Sequence, residues 1–449
     1  MTTEATLAPS APPSLETSAA DVLERYRAVR AVTEGIAAPL APEDCVVQTM
    51  EDVSPTKWHL AHVSWFFETF VVEPHLSGYR PLNPKYAYLF NSYYVQAGER
   101  HCRDRRGYIS RPTLDEVYDY RAYVDEHVTE LLDTAGDATL ETVAPLIEIG
   151  LNHEQQHQEL MLTDIKHVFS VNPLRPAYRD RPSETASAGP LGWVQFDGGL
   201  HEIGHDGSSF SYDNETPRHR HYLEPYLLAD RLVTNGEYLA FMDDGGYERA
   251  ELWLSEGHAT ARENGWSEPF YWEKRDGRWW IFTLAGMREL DENEPVAHVS
   301  YFEADAYARW AEARLPSEQE WEVAARERPI RGNTFETGRL HPVPAGGASG
   351  AAAAGVSTVA SPAGERPPEL RQMYGDLWEW TRSQYSPYPG YRPLPGALGE
   401  YNGKFMCNQF VLRGGSCATS ASHIRPTYRN FFVPDATWQF MGIRLARDV

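Results

Sequence analysis

Residues 152–159 read Asn-His-Glu-Gln-Gln-His-Gln-Glu, and their types and spacing suit metal chemistry. His153 and His157 are four apart in a strongly helical pattern. Both imidazoles therefore leave one face of a helix one turn apart, as a chelate requires. Two frames overlap here. His-Glu-x-x-His matches a zinc peptidase helix with Glu154 as general base. The extended form of that motif needs glycine at 160 and histidine at 163, where this chain has Leu160 and Thr163. A proline-rich segment follows directly, so no downstream helix offers a carboxylate ligand. The other frame, His-x3-His, needs a third imidazole from a facing helix. Trp-His-Leu-Ala-His at 58–62 offers His59 and His62, and spacing does not choose between them. Three neutral imidazoles leave coordination positions open, and iron(II) uses such positions for dioxygen and a substrate. Spacing does not choose iron over zinc either. Glu159 lies about 200° around the helix from His157, which makes it an orienting or structural partner rather than a ligand.

The elements that must position these groups follow from periodicity. Residues 20–171 hold four helical segments and predict a helix bundle. Ser54 is the expected N-cap of the segment carrying His59 and His62, with Pro55 at its first helical position. Residues 1–19 read as a disordered tail without the basic and apolar regions of a signal peptide. Residues 172–192, rich in Pro, Ser and Ala, read as a linker. From 193 to 449 the texture changes to short strands and many turns, with clear helices only in NGEYLAFMDDGG and YFEADAYARWAEA. Residues 344–368 are of low complexity and read as a surface loop. No internal repeat is evident.

Composition narrows the classes of function. A chain of 449 residues with 42% hydrophobic and 12% aromatic residues is a folded one with room for two or three domains. A net charge of −23 argues against nucleic acid or an acidic membrane as partner, since both are polyanions. No apolar run is long enough to span a bilayer. The cysteines Cys45, Cys102, Cys407 and Cys417 form no C-x-x-C pair and suit reduced thiols in the cytoplasm.

The segments LAHVSWFFETF and HEQQHQE together resemble the DinB-like helical domain of the ergothioneine-biosynthesis sulfoxide synthases. The second half resembles the formylglycine-generating-enzyme fold, through DNETPRH, LVTNGEY, GDLWEWT, VLRGGSCAT, YRNFF and GIRLAR. The resemblance covers about residues 20–449. It implies an α+β protein: a DinB-like four-helix bundle followed by a C-type-lectin-like, formylglycine-generating-enzyme-like mixed domain. It also implies an iron(II) enzyme that uses O2 to join a thiol to the imidazole C2 of hercynine and oxidises the sulfur to a sulfoxide. The metal set implied is His62, His153 and His157, since the family's ligand is the histidine of Leu-Ala-His. Tyr93 and Tyr94 match the tyrosine pair of the subgroup that uses free cysteine, with Tyr94 as proton donor. Arg103 and Arg106 fall where the family binds the carboxylate of its thiol substrate. Gln156 matches the contact to the substrate imidazole, and Asn430, Phe431 and Phe432 match the hercynine-binding stretch. Cys102 and Asp104 depart from the proline-rich text common at those positions.

The implied chemistry is sound from below. Binding both reactants at one ion makes their encounter intramolecular. An arginine fork suits a carboxylate, and a quaternary ammonium without N–H donors needs aromatic faces and polar oxygens. The alternatives within the fold are γ-glutamylcysteine as donor and a selenoneine synthase taking a selenosugar. From another class, a non-catalytic ligand-binding protein is the alternative. Cys407 and Cys417 lack the close spacing of a copper-binding pair and are expected to be buried thiols. The sequence does not fix the oligomeric state.

Overall fold

The structure is a computed structural model that describes residues 18–180, 186–346 and 369–449. Most of the expected N-terminal tail, part of the linker and most of the low-complexity loop lie outside the described residues.

The first half is helical. Helix α1 (Ala19–Ala37) starts at a capping box, in which Ser18 Oγ accepts from the Asp21 backbone N–H. Helix α2 (Thr56–Phe67) carries His59 and His62. Short helices α3 (Glu73–His75) and α4 (Tyr86–Phe90) lead to α5 (Leu114–Thr134), capped by Thr113 and Glu116. The 35-residue α6 (Asp137–Val171) runs unbroken past Pro145 and carries His153 and His157. The expected cap of α2 needs correction. Pro55, not Ser54, occupies the N-cap position, and no side chain caps the helix. Ser54 is used elsewhere, its backbone N–H donating to Asp164 Oδ2 and its Oγ accepting from Arg106 Nη1.

Helix α6 packs on α1 and α2, and α2 also packs on α5. Close approach of α2 and α6 depends on Gly150, where a Cβ would stand 2.4 Å from Phe67 Cε1. That glycine lies one turn before His153, so it sets how near the histidine face of α6 comes to His62.

The second half is built of small sheets. Strand Trp378–Gln384 is flanked by antiparallel Phe410–Arg413 on one side and parallel Met441–Gly442 on the other, and Asn430–Phe432 forms the edge beyond Phe410–Arg413. Helices Asn235–Asp243 and Tyr301–Trp310, both expected, each begin with a capping box. The first and last strands of this half, Trp193–Phe196 and Ala446–Asp448, both pair with Tyr226–Ala229. The edge strand bearing Asn430 is held by Arg429, whose buried guanidinium donates to both oxygens of Glu318.

One face of α6 is the seam between the halves. Glu159 accepts from Trp378 Nε1 at 2.8 Å, Ser416 Oγ at 2.5 Å and Thr419 Oγ1 at 2.7 Å. Gln155 donates to Ser422, and Lys166 meets His298 Nε2 at 2.6 Å. Glu159 is thus a structural tie across the seam.

Candidate metal centre and substrate cavity

Helices α2 and α6 bring His62, His153 and His157 together, each offering a ring nitrogen within 4.8 Å of the others. Among the described residues this is the one cluster of histidine, cysteine or acidic side chains arranged to hold a metal. All three rings are buried. Burial is the main cause that lowers their pKa values, with His153 pushed down to about 3. Neutral imidazoles are the coordinating form.

Two of the rings are oriented from behind. His62 Nδ1 donates to the Phe90 carbonyl at 2.5 Å, which leaves Nε2 facing the cluster. Its ring lies between the stacked indoles of Trp58 and Trp65. His157 Nδ1 stands 2.8 Å from His59 Nδ1, and His59 Nε2 stands 2.9 Å from Asp164 Oδ2. Asp164 can only accept, so His59 carries its proton on Nε2 and accepts from His157 through Nδ1. His157 Nε2 is left with a free lone pair. His59, open as an alternative ligand on spacing alone, instead stands behind His157 and orients its ring. Replacing Asp164 with asparagine is expected to weaken metal binding at the cluster by about 10–100-fold. Metal titration of the apo-protein measures this, and an unchanged affinity would remove Asp164 from that role.

Glu154 has no access to this chemistry. It is fully buried on another face of α6, accepting from Thr33 Oγ1 at 2.6 Å, Arg30 Nη1 at 3.1 Å and Arg121 Nη2 at 3.4 Å. The peptidase frame thus loses its general base.

A cavity of about 350 Å³ opens beside the cluster, between the two halves. His157, Gln156 and Trp58 line it from the helical side; Tyr401, Tyr428 and Phe431 line it from the other. Its volume is in the ~300–1,000 Å³ range of small-molecule sites. Asn430 and Phe432 also line this cavity. Asn430 Oδ1 accepts from the Phe431 backbone N–H, and Phe431 stacks on Tyr385. Gln156 is clamped, donating to Tyr428 Oη at 2.7 Å and accepting from Tyr401 Oη at 2.8 Å.

The two arginines differ. Arg103 is half exposed and bonded to Asp52. Arg106 is 5% exposed, lies 3.4 Å from the Trp58 ring centroid, and donates to Ser54 and Ser92 hydroxyls. Its Nε has no partner, and no carboxylate pairs with it among the described residues. Burial, with Arg103 nearby, pushes its pKa down to about 9. A buried cation without a counter-ion is a costly arrangement that an anionic ligand relieves.

The tyrosines divide between two spaces. Tyr93 lines the large cavity, while Tyr94 lines a smaller one with His153 and Tyr212. Gln156 and Tyr401 form the wall common to both. Burial raises both phenol pKa values and keeps them protonated. Asp164, Tyr401 and Tyr428 have no part in the sequence reading, and His59 enters it only as an alternative ligand. Asp164 alone had a local signal, seven residues after His157 and so on the same helix face.

The fold and the site together define a class of protein in which a helical bundle bearing a histidine cluster is joined to a sheet domain. Residues 25–161 match the DinB superfamily, and residues 181–449 match the sulfatase-modifying factor enzyme 1-like domain. The chain is 33% identical over 416 residues to the hercynine oxygenase of Mycolicibacterium smegmatis, covering 88% of this chain and 92% of that protein. It is 32% identical over 414 residues to the hercynine oxygenase of Mycobacterium tuberculosis, with 88% and 92% covered. The formylglycine-generating enzyme of Streptomyces coelicolor is 30% identical over 316 residues, covering 60% of this chain and 95% of that protein. The chain belongs to the hercynine oxygenase family.

Among the described residues no helix is long and apolar enough to cross a membrane. Cys45 and Cys417 are buried, and none of the four cysteines forms a disulfide among the described residues. Cys407 departs from expectation, being exposed, because it follows a surface strap, residues 391–405, rather than a core strand.

Proposed function

We propose that this oxygenase joins cysteine to the imidazole C2 of hercynine, using iron(II) and dioxygen, and oxidises the new thioether to a sulfoxide. The observation that carries the reading is a three-histidine cluster opening on a cavity that also holds a buried, unpaired guanidinium. The name of the relatives supports hercynine as one substrate. Oxygen and electrons balance. Replacing a C–H and an S–H bond by C–S releases two electrons, and sulfoxidation releases two more. One atom of O2 enters the sulfoxide and the other leaves as water.

His62, His153 and His157 are the proposed iron ligands. Iron(II) held there by neutral imidazoles would keep its double positive charge, and would supply a centre that favours the thiolate of a nearby thiol and the reduction of dioxygen. Arg106, with Arg103 nearer the surface, holds the carboxylate of cysteine. Gln156 Oε1 has a second lone pair free of Tyr401 to accept from the substrate imidazole N–H. Asn430 keeps its amide N–H groups for the hercynine carboxylate, and Phe431 and Phe432 offer aromatic faces to the trimethylammonium. Tyr94 is the proposed proton donor during oxygen reduction, with Tyr93 beside it. We place the enzyme in the reducing cytoplasm, in keeping with four cysteines that form no disulfide among the described residues.

Anaerobic loading with iron(II), then addition of O2, hercynine and each candidate donor, tests this by product mass. Cysteine is expected to give the sulfoxide adduct in preference to γ-glutamylcysteine or a selenosugar. No oxygen uptake with hercynine and any donor would refute the reading. In the same assay Arg106→Met is expected to raise the KM for cysteine by about 30-fold or more, the worth of a charge-assisted fork. Because it removes an unpaired buried cation, it is expected to leave thermal stability intact. An unchanged KM would take the carboxylate away from Arg106.

A further inference from the structure

The Tyr93–Tyr94 segment has little regular structure of its own. It lies between Phe90, the end of α4, and a single 3-10 turn, Val95–Ala97, followed by Gly98 at φ +124°. Asn91 braces it locally, its Oδ1 accepting from the Tyr94 N–H and its amide donating to the Tyr94 carbonyl. The first N–H groups of a helical turn have no partner within it. Here those of Val95 and Gln96 are taken by the second domain, at 2.9 Å and 2.8 Å, each by a different oxygen of Glu400. Lys404, one turn further on, pairs with Glu400 at 3.2 Å and also donates to the Tyr93 carbonyl. The backbone is thus gripped on both sides of Tyr94.

The strap that supplies this grip is anchored to its own domain. Asp213 accepts from the Leu394 N–H, Tyr391 Oη and Asn402 Nδ2. The strap also carries Tyr401, which donates to Gln156 and packs against the Tyr93 ring. Phe405 meets the same ring edge-on. One segment therefore touches the tyrosine pair and the glutamine next to His157 together.

We infer that Glu400 is a positioning residue: with Lys404 it clasps the backbone around Tyr94 from the opposite domain and sets where both phenols stand relative to the histidine cluster. Two carboxylate oxygens on two consecutive backbone N–H groups fix both the position and the rotation of the turn, which a single contact would not. Lys404 fixes the carboxylate in turn. The consequence for catalysis rests on the proposed function; the clasp itself does not.

Full-length Glu400→Ala and Glu400→Gln test the inference through two readouts. Amide hydrogen exchange of residues 93–98 is expected to speed up about tenfold or more in Glu400→Ala, since a hydrogen bond to a charged group contributes at least that factor. Glu400→Gln, which keeps one acceptor oxygen, is expected to fall between, and α6 is expected to be unchanged in both. In the iron-loaded enzyme, kcat for sulfoxide formation is expected to drop by up to ~100-fold, the cost of about 1 Å of misplacement. The KM for cysteine is expected to hold, because Arg106 is not touched. Unchanged exchange in Glu400→Ala overturns the clasp. Faster exchange with unchanged kcat overturns the positioning role. If the wild-type enzyme makes no sulfoxide, the proposed function falls while exchange still decides the clasp.

Discussion

Replacing His157 with alanine is expected to abolish both iron(II) retention and oxygen consumption. The drop in activity should exceed the ~10–100-fold typical of losing an orienting partner, because a proposed ligand itself is removed. Two imidazoles remain, and His59, left without its partner ring, has its Nε2 committed to Asp164 at 2.9 Å. Its Nδ1 lies on the far side of the removed ring, so it is a poor substitute. Metal content after gel filtration, with oxygen uptake in the presence of hercynine and cysteine, measures the effect. A variant that keeps stoichiometric iron would refute the three-histidine assignment.

Glu154→Gln separates two readings of the same motif. A peptidase base would be lost with little change in stability. Here Glu154 is a buried anion between Arg30 and Arg121, both of them buried. Removing its charge leaves two guanidinium groups under-compensated, at a cost of about 3–5 kcal/mol. The first thermal unfolding transition is expected to fall by on the order of 10 °C. The pH dependence has a definite sign. Burial alone would raise the Glu154 pKa, but Arg30, Arg121 and the Thr33 hydrogen bond outweigh it and hold it below the ordinary 4.5. A depressed carboxylate pKa contributes stability that is present above the unfolded value and lost as pH falls through the folded one. The gap between wild type and Glu154→Gln is therefore expected to be full near neutrality and to narrow below about pH 4.5. Equal melting curves at neutral pH would contradict the buried ion-pair role.

The contrast between these residues shows what was legible. His153 and His157 were readable because helical spacing is a local property, and their common face needs nothing beyond α6. His59 and His62 lie on the same helix with only about 60° between their directions, three residues apart. Periodicity places both near the facing helix and cannot say which one points at the cluster. The position of α6 makes that choice, and Gly150 sets how close it comes. Ser54 read as a helix cap because it precedes Pro55, yet it serves Asp164 and Arg106 instead. Its partners lie too far along the chain for any local pattern to reveal. Cys407 is expected from the sequence to be a buried thiol and is exposed, since the strap before it crosses the surface to reach the tyrosine pair.

By itself, the amino-acid sequence determined the candidate histidines, the helix that pairs two of them, and the two-part architecture from helical to strand-rich texture. Tertiary structure alone decided that Glu154 faces two arginines, that His59 stands behind His157, that Arg106 is buried without an anion, and that a strap from the second half grips the tyrosines. The reason is physical. Spacing along a helix fixes the angle at which a side chain leaves its axis, but what waits at that angle is set by segments brought together only when the core closes.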